Sequence, residues 1–115
     1  MAKNKSPEQH IKNEILSYLV GHGVFCWPND SVGIFDPIKR VYRKKNSIFA
    51  INGVSDILGI YKGKPLAIEV KSKVGRLSPQ QELFLNRFVE AGGIAFMARS
   101  VDDVIIQLEN SDAKS

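Results

Sequence analysis

Apolar residues recur three and four positions apart at Ile11, Ile15, Tyr18 and Leu19, a stripe along one side of a helix. Ser6-Pro7-Glu8-Gln9 ahead of them has the features of a helix start: serine as N-cap, proline in the first turn, and glutamine three residues after the serine to complete a capping box. With Gly21-His22-Gly23 as the stop, the pattern predicts a helix from Pro7 to Val20. The next segment, "VFCW" from Val24 to Trp27, is short and apolar and ends at Pro28-Asn29-Asp30, which predicts a strand leaving into a loop. From Ser31 to Asn52 the pattern is weaker. It contains Gly33, Pro37 and the run "KRVYRKK", and its one expected element is a short hairpin of "RVYR" and "SIFAI".

Asp56 to Tyr61 and Leu66 to Lys71 read as two strands of a hairpin around Lys62-Gly63-Lys64-Pro65. Ser78-Pro79-Gln80-Gln81 repeats the helix-start pattern, Phe84, Leu85, Phe88 and Val89 form the buried stripe that follows, and Gly92-Gly93 ends it. "IAFMAR" from Ile94 predicts a buried strand, and Ser100 with Asp103 opens a last short helix carrying Val104, Ile105 and Leu108. The tail "NSDAKS" is expected to fray. This order predicts an α/β fold with a central mixed β-sheet flanked by α-helices. Trp27, Phe84 and Phe88 are most simply core, and His10 and His22 are surface or helix-end residues.

One strand departs from its apolar pattern. In Leu66-Ala67-Ile68-Glu69-Val70-Lys71, Glu69 and Lys71 are two apart and share a face of the sheet. A loop of Gly63-Lys64, or of Lys62 to Pro65, sets Asp56 opposite Lys71 and diagonal to Glu69, so the two carboxylates and the ammonium converge. Burying ionised groups without partners costs several kcal/mol each. A divalent cation offsets that cost, because Mg²⁺ takes one or two carboxylates together with water and phosphate oxygens. The main-chain carbonyl of Val70 is available as a third ligand, and hard oxygen donors accept Mn²⁺ as well.

Charge sharpens this picture. The chain has 115 residues, enough for one domain spanning 1–115, with a net charge of +4. Between Lys39 and Arg76 stand ten basic residues (Lys39, Arg40, Arg43, Lys44, Lys45, Lys62, Lys64, Lys71, Lys73 and Arg76) against only Asp56 and Glu69. That bias favours a polyanionic partner, nucleic acid ahead of a membrane surface, with Lys39, Arg40, Arg43, Lys44, Lys45, Lys73 and Arg76 as candidate phosphate contacts. Tyr42 within the run is either a base-stacking or a hairpin residue. No apolar run approaches the ~20 residues of a membrane span, and the N-terminus lacks a secretory signal. The single cysteine, Cys26, suits a reducing compartment. The expectation is a soluble, cytoplasmic protein.

Asp56, twelve intervening residues, then Glu69-Val70-Lys71 resembles the PD-(D/E)XK nuclease motif. Gly53-Val54-Ser55-Asp56 with "EVK" and "GRLSPQQ" is similar to its VRR-NUC branch, the virus-type replication-repair nuclease domain. The early helix, the strand ending near "WPND" and the late "AGGIAFMARS" fit as well. Serine stands where the family pattern has proline before Asp56. The resemblance implies a restriction-endonuclease-like core in which Asp56 and Glu69 bind the metal and Lys71 orients the attacking water and stabilises charge on the phosphate. It implies that Gln81 contributes to the same site, although the capping box with Ser78 also explains a glutamine there. Glu8 best matches the family's acid on the first helix, with Glu14 as the competitor. The implied reaction is Mg²⁺-dependent hydrolysis of DNA phosphodiesters leaving a 5′-phosphate and a 3′-hydroxyl. Stand-alone domains of this kind resemble phage or prophage Holliday-junction resolvases, which implies a homodimer acting on branched DNA inside a bacterial cell. The alternatives are a restriction-like or flap nuclease with the same chemistry, or a non-catalytic nucleic-acid-binding subunit.

Overall fold

The elements run in the order α1 (Pro7–Gly21), β1 (Phe25–Pro28), β2 (Ile34–Asp36), β3 (Val41–Arg43), β4 (Ile57–Tyr61), β5 (Lys64–Val70), α2 (Pro79–Glu90), β6 (Ile94–Ala98) and α3 (Val101–Ala113) in the computed structural model. The structure describes residues 6–29, 34–36, 38, 41–43 and 48–114, with 34–36 and 41–43 described by their backbone alone. Four strands form a mixed sheet in the order β1-β4-β5-β6: the first two pairings are antiparallel, and β5 and β6 are parallel across the α2 crossover. β5 lies between two neighbours and is buried from Leu66 through Val70, which is why it reads as an apolar run instead of an alternation. On one face, Ile57, Leu66, Ile68, Val70, Phe96 and Ala98 pack with Ile15 and Leu19 of α1 and Val104 and Leu108 of α3. α2 packs on β5 and β6 from the other face, where Leu85 is buried. The α/β architecture, with a mixed sheet between helices, matches a restriction-endonuclease-like core. No helix among the described residues is long and apolar enough to cross a membrane.

Several local expectations need correction. The hairpin turns on Lys62 and Gly63, both at positive φ (49° and 83°), the geometry whose twist matches that of its strands. Lys64 and Pro65 are therefore drawn into β5, and the register moves by two residues, with Ile57 opposite Ile68 and Leu58 opposite Ala67. The pleat is unchanged by a two-residue shift, so each side chain keeps its face. Val41–Arg43 of "RVYR" pairs with the preceding "IFD", Ile34 opposite Arg43, and not with "SIFAI", whose Ile48 and Phe49 form a turn.

The two helix starts also differ. Ser78 and Gln81 complete their capping box, whereas Gln9 turns away from Ser6 and donates from Nε2 to Asn13 Oδ1 at 3.1 Å. Trp27 is 41% exposed and Phe25 72%. Cys26 faces the core beside Gly59, so its two neighbours face the side of the sheet on which α2 covers β5 and β6. In α2 only Leu85 is fully buried; Phe84 and Phe88 are half-buried and Val89 is exposed. The C-terminal tail does not fray at Asn110: α3 continues to Ala113, and its end is tied to the hairpin because Asp112 accepts a hydrogen bond from Tyr61 Oη at 3.0 Å and pairs with Lys62 at 3.1 Å.

Candidate active site

The corrected register brings Asp56, one residue before β4, level with Glu69, closer than the diagonal placement expected from sequence. Asp56 is held from both sides: its Oδ2 accepts from the Val70 amide at 2.8 Å, and its backbone carbonyl accepts from the Asn29 amide at 2.7 Å. Lys71 leaves the same face two residues beyond Glu69, with Nζ 3.8 Å from Glu69 Oε2, and both side chains are largely buried. Lys71 is anchored by its amide, which donates to the Ala98 carbonyl at 3.0 Å where the β5–β6 ladder ends.

Gln81 reconciles two explanations that sequence treats as alternatives. Its Oε1 accepts from the Ser78 amide at 2.9 Å, closing the capping box, while Nε2 donates to Glu69 Oε2 at 3.2 Å. One amide side chain thus caps α2 and aims the buried carboxylate. Gly53, to which sequence reading assigned no role, makes this possible. It has φ +75°, and a Cβ there would lie 2.4 Å from the Gln80 carbonyl oxygen and 2.7 Å from the Gln81 amide nitrogen. The loop carrying Asp56 therefore touches the start of α2 through a position that only glycine can occupy. The legible signal was "NG" just upstream of an isolated acid.

Glu69 Oε1 is buried and receives no hydrogen bond. Burial, and then the Asp56 carboxylate close enough to share a proton with it, push the Glu69 pKa up to about 8, with Lys71 acting in the opposite direction and Glu8 adding a smaller upward push. An orphaned acceptor beside a second carboxylate is a hard oxygen donor set that fits a divalent cation. Among the described residues no three His, Cys, Asp or Glu side chains form a metal-binding group.

Glu8, in the first turn of α1, reaches the site's edge: Glu8 Oε2 and Lys71 Cδ both stand against Gly75. Glu14 is exposed and lies two turns further along the helix. Ser55, in place of the family's proline, is fully buried with an unbonded hydroxyl. Lys73 and Arg76 are exposed on the segment leaving β5. Lys39, Arg40, Lys44 and Lys45 lie outside the described residues, and Arg43, like Tyr42, is described only as a backbone position in β3.

No curated protein was found to match the chain significantly. The family described as "VRR-NUC domain" matches residues 38–102, a span that contains Asp56, Glu69, Lys71 and Gln81 and leaves α1 and most of α3 outside. Such a domain implies a nuclease of the PD-(D/E)XK superfamily, and with it DNA binding. With more than half its length matched and the motif residues standing together on one sheet, the chain belongs to the VRR-NUC family.

Proposed function

We propose that this chain is a single-domain, metal-dependent endodeoxyribonuclease that hydrolyses phosphodiester bonds, selective for branched DNA in the manner of a Holliday-junction resolvase and active as a homodimer of phage or prophage origin. The observation that carries the chemistry is Glu69 Oε1, buried and without a donor beside Asp56. Asp56, Glu69 and the Val70 carbonyl would hold Mg²⁺, with Mn²⁺ as a substitute. A bound divalent cation supplies Lewis acidity to the phosphoryl oxygen and to the attacking water.

The remaining work falls to side chains of the protein. Lys71 places its side-chain nitrogen beside the carboxylates, where it orients the water and stabilises negative charge developing on the phosphate. Gln81 keeps Glu69 aimed by donating to Oε2, and Glu8 places a further carboxylate beside the Lys71 stem. Lys73 and Arg76, with the basic run Lys39, Arg40, Arg43, Lys44 and Lys45, are assigned to backbone phosphates. The products are a 5′-phosphate and a 3′-hydroxyl. A homodimer supports junction selectivity because paired two-fold sites match a four-way junction.

The deciding experiment is cleavage of a labelled four-way junction beside matched flap, single-stranded and duplex DNA, with Mg²⁺, Mn²⁺ or EDTA, comparing wild type with Asp56→Ala. Paired, metal-dependent cuts in the junction, lost in Asp56→Ala with DNA binding retained, are expected. Equal cleavage of all substrates removes junction selectivity and favours a restriction-like or flap nuclease. Binding without cleavage makes the chain a non-catalytic nucleic-acid-binding subunit.

Gln81→Glu separates the two roles of that residue. The glutamate keeps an acceptor for the Ser78 amide, so the melting temperature is expected to stay within a few degrees, but it removes the donor to Glu69 and sets a third carboxyl group beside the pair. Cleavage is expected to fall by about 10-fold to 100-fold, consistent with loss of one orienting hydrogen bond at a charged group. Unchanged turnover reduces Gln81 to a helix cap.

A further inference from the structure

Arg99 follows the last residue of β6, at the point where the sheet ends beside the site. Its neighbour Ala98 accepts the Lys71 amide, after which the chain leaves the sheet at Ser72 and reverses, the Gly75 amide donating to the Ser72 carbonyl at 3.2 Å. Arg99 Nη1 donates to both ends of this turn, to the Ser72 carbonyl and, at 2.7 Å, to the Gly75 carbonyl. The Arg99 amide in turn donates to Asp103 Oδ2 at 2.8 Å, which fixes the root of the side chain against the start of α3.

The clasped turn is also the surface on which α1 meets the site. A Cβ at Gly75 would lie 3.2 Å from Glu8 Oε2, 3.2 Å from Ser72 Oγ and 3.4 Å from Lys71 Cδ, so the Glu8 carboxylate and the Lys71 stem converge on the one residue without a side chain. Ile15 and Leu19 in the core place α1, and the turn is the surface that the Glu8 side chain then meets beside Lys71. The turn's carbonyls are tied by one guanidinium. Charge-assisted bonds of this kind are stronger than neutral ones. Both come from one nitrogen, Nη1, whose two N–H groups are fixed in the guanidinium plane, a geometry that the rotatable ammonium of lysine on its flexible stem does not hold.

We propose that Arg99 is a positioning residue for phosphodiester hydrolysis, acting through the Ser72–Gly75 turn to hold Glu8 beside Lys71. This role presupposes the nuclease reading above and extends it to a residue that touches neither carboxylate of the pair.

The test is a double-mutant cycle on one labelled DNA substrate with Mg²⁺, measuring kcat, KM and melting temperature for wild type, Arg99→Met, Glu8→Gln and the double variant. Arg99→Met is expected to lower kcat about 10-fold, since displacement of a positioned group by even about 1 Å can cost far more, while KM changes by less than about 3-fold. In the Glu8→Gln background the same substitution is expected to cost less than about 2-fold, because the group it positions is already gone. Arg99→Lys is expected to recover only part of the loss. Should Arg99→Met fail to fold, Arg99→Lys takes its place in the cycle. Gly75→Ala, which leaves Arg99 intact and thrusts a methyl at Glu8, is expected to reproduce the kcat loss. Losses that multiply across the cycle, a wild-type kcat in Arg99→Met or in Gly75→Ala, or a Glu8→Gln enzyme with full activity each overturn the proposal and leave the nuclease reading standing. Absence of metal-dependent cleavage by the wild type overturns that reading, and the proposal with it.

Discussion

Glu69→Gln is expected to abolish cleavage while making the metal-free protein more stable at alkaline pH. On the proposed function Glu69 holds a cation that contributes several kcal/mol of transition-state stabilisation, and loss of that ligand lowers the rate by about three orders of magnitude or more. The stability effect follows from the raised carboxyl. In the folded protein Glu69 holds its proton up to about pH 8, against an ordinary value of 4.5. Between those values the folded protein binds a proton that the unfolded chain has released, so stability falls as pH rises through the window and levels off above it. The full shift sets a ceiling of roughly 5 kcal/mol, and relaxation around the carboxylate reduces it. Glutamine cannot ionise and escapes this penalty. Melting in EDTA from about pH 5 to about pH 9 should show a falling curve for wild type and a flatter one for Glu69→Gln. Added Mg²⁺ should raise the wild-type melting temperature, more at pH 8 than at pH 6, and leave the variant unmoved. Parallel curves for the two proteins would place the buried proton elsewhere.

Gly53→Ala carries the largest expected structural effect of any single methyl. The added carbon meets the Gln80 carbonyl at 2.4 Å, and the backbone has φ +75°. Overpacking costs about 1–3 kcal/mol and the left-handed conformation about 1–2 kcal/mol more for a residue with a side chain. Against a total stability of about 5–15 kcal/mol for a domain of ordinary stability, that is a large fraction. The loss should exceed about 2 kcal/mol in urea denaturation. Because relief requires Asp56's loop to part from Gln81's helix, whatever folded protein remains should cleave poorly. Gly63→Ala, in an open hairpin tip with nothing within 4 Å, is the matched control, strained by its φ of +83° alone. Equal destabilisation by both substitutions would mean that the contact with α2 contributes nothing.

The stability and chemistry of this domain meet at Glu69. A carboxylate in a strand that is otherwise apolar and buried from Leu66 to Val70 works against folding unless a partner compensates. The protein supplies two incomplete partners, the Gln81 amide and the Lys71 ammonium, and both engage Oε2. Oε1 has no donor from the protein, which leaves the carboxyl to a proton shared with Asp56 or to a cation in its place. This division explains why the same residue is the strongest candidate ligand and the least comfortable core residue.

Much of the outline was legible from residue order. Helix starts at Ser6 and Ser78 were visible because a capping serine and a proline act within one turn, joined at Ser78 by the glutamine of the box, and local interactions are what sequence displays directly. The carboxylates' shared face was legible because strand parity survives a two-residue error in register. The register itself was not, because Lys62 adopting positive φ is unusual for a residue with a side chain and the turn was placed too far along. Trp27 misled because an aromatic in a short apolar strand is ordinarily core, and only the extent of α2 across the sheet decides which face is covered.

The amino-acid sequence by itself determined the family, the strand and helix types, and which two acids and lysine come together on one face of the sheet, since these depend on periodicity, capping and spacing along one chain. Tertiary structure alone decided that Asp56 stands level with Glu69, that Gln81 serves the helix cap and the carboxylate at once, and that Glu8, not Glu14, reaches the turn held by Arg99. Those relations join residues far apart in the chain where Gly53 meets the backbone of α2 and where the Glu8 and Lys71 side chains converge on Gly75. The space available there is set by how α1, α2 and the sheet pack together, which no local pattern encodes.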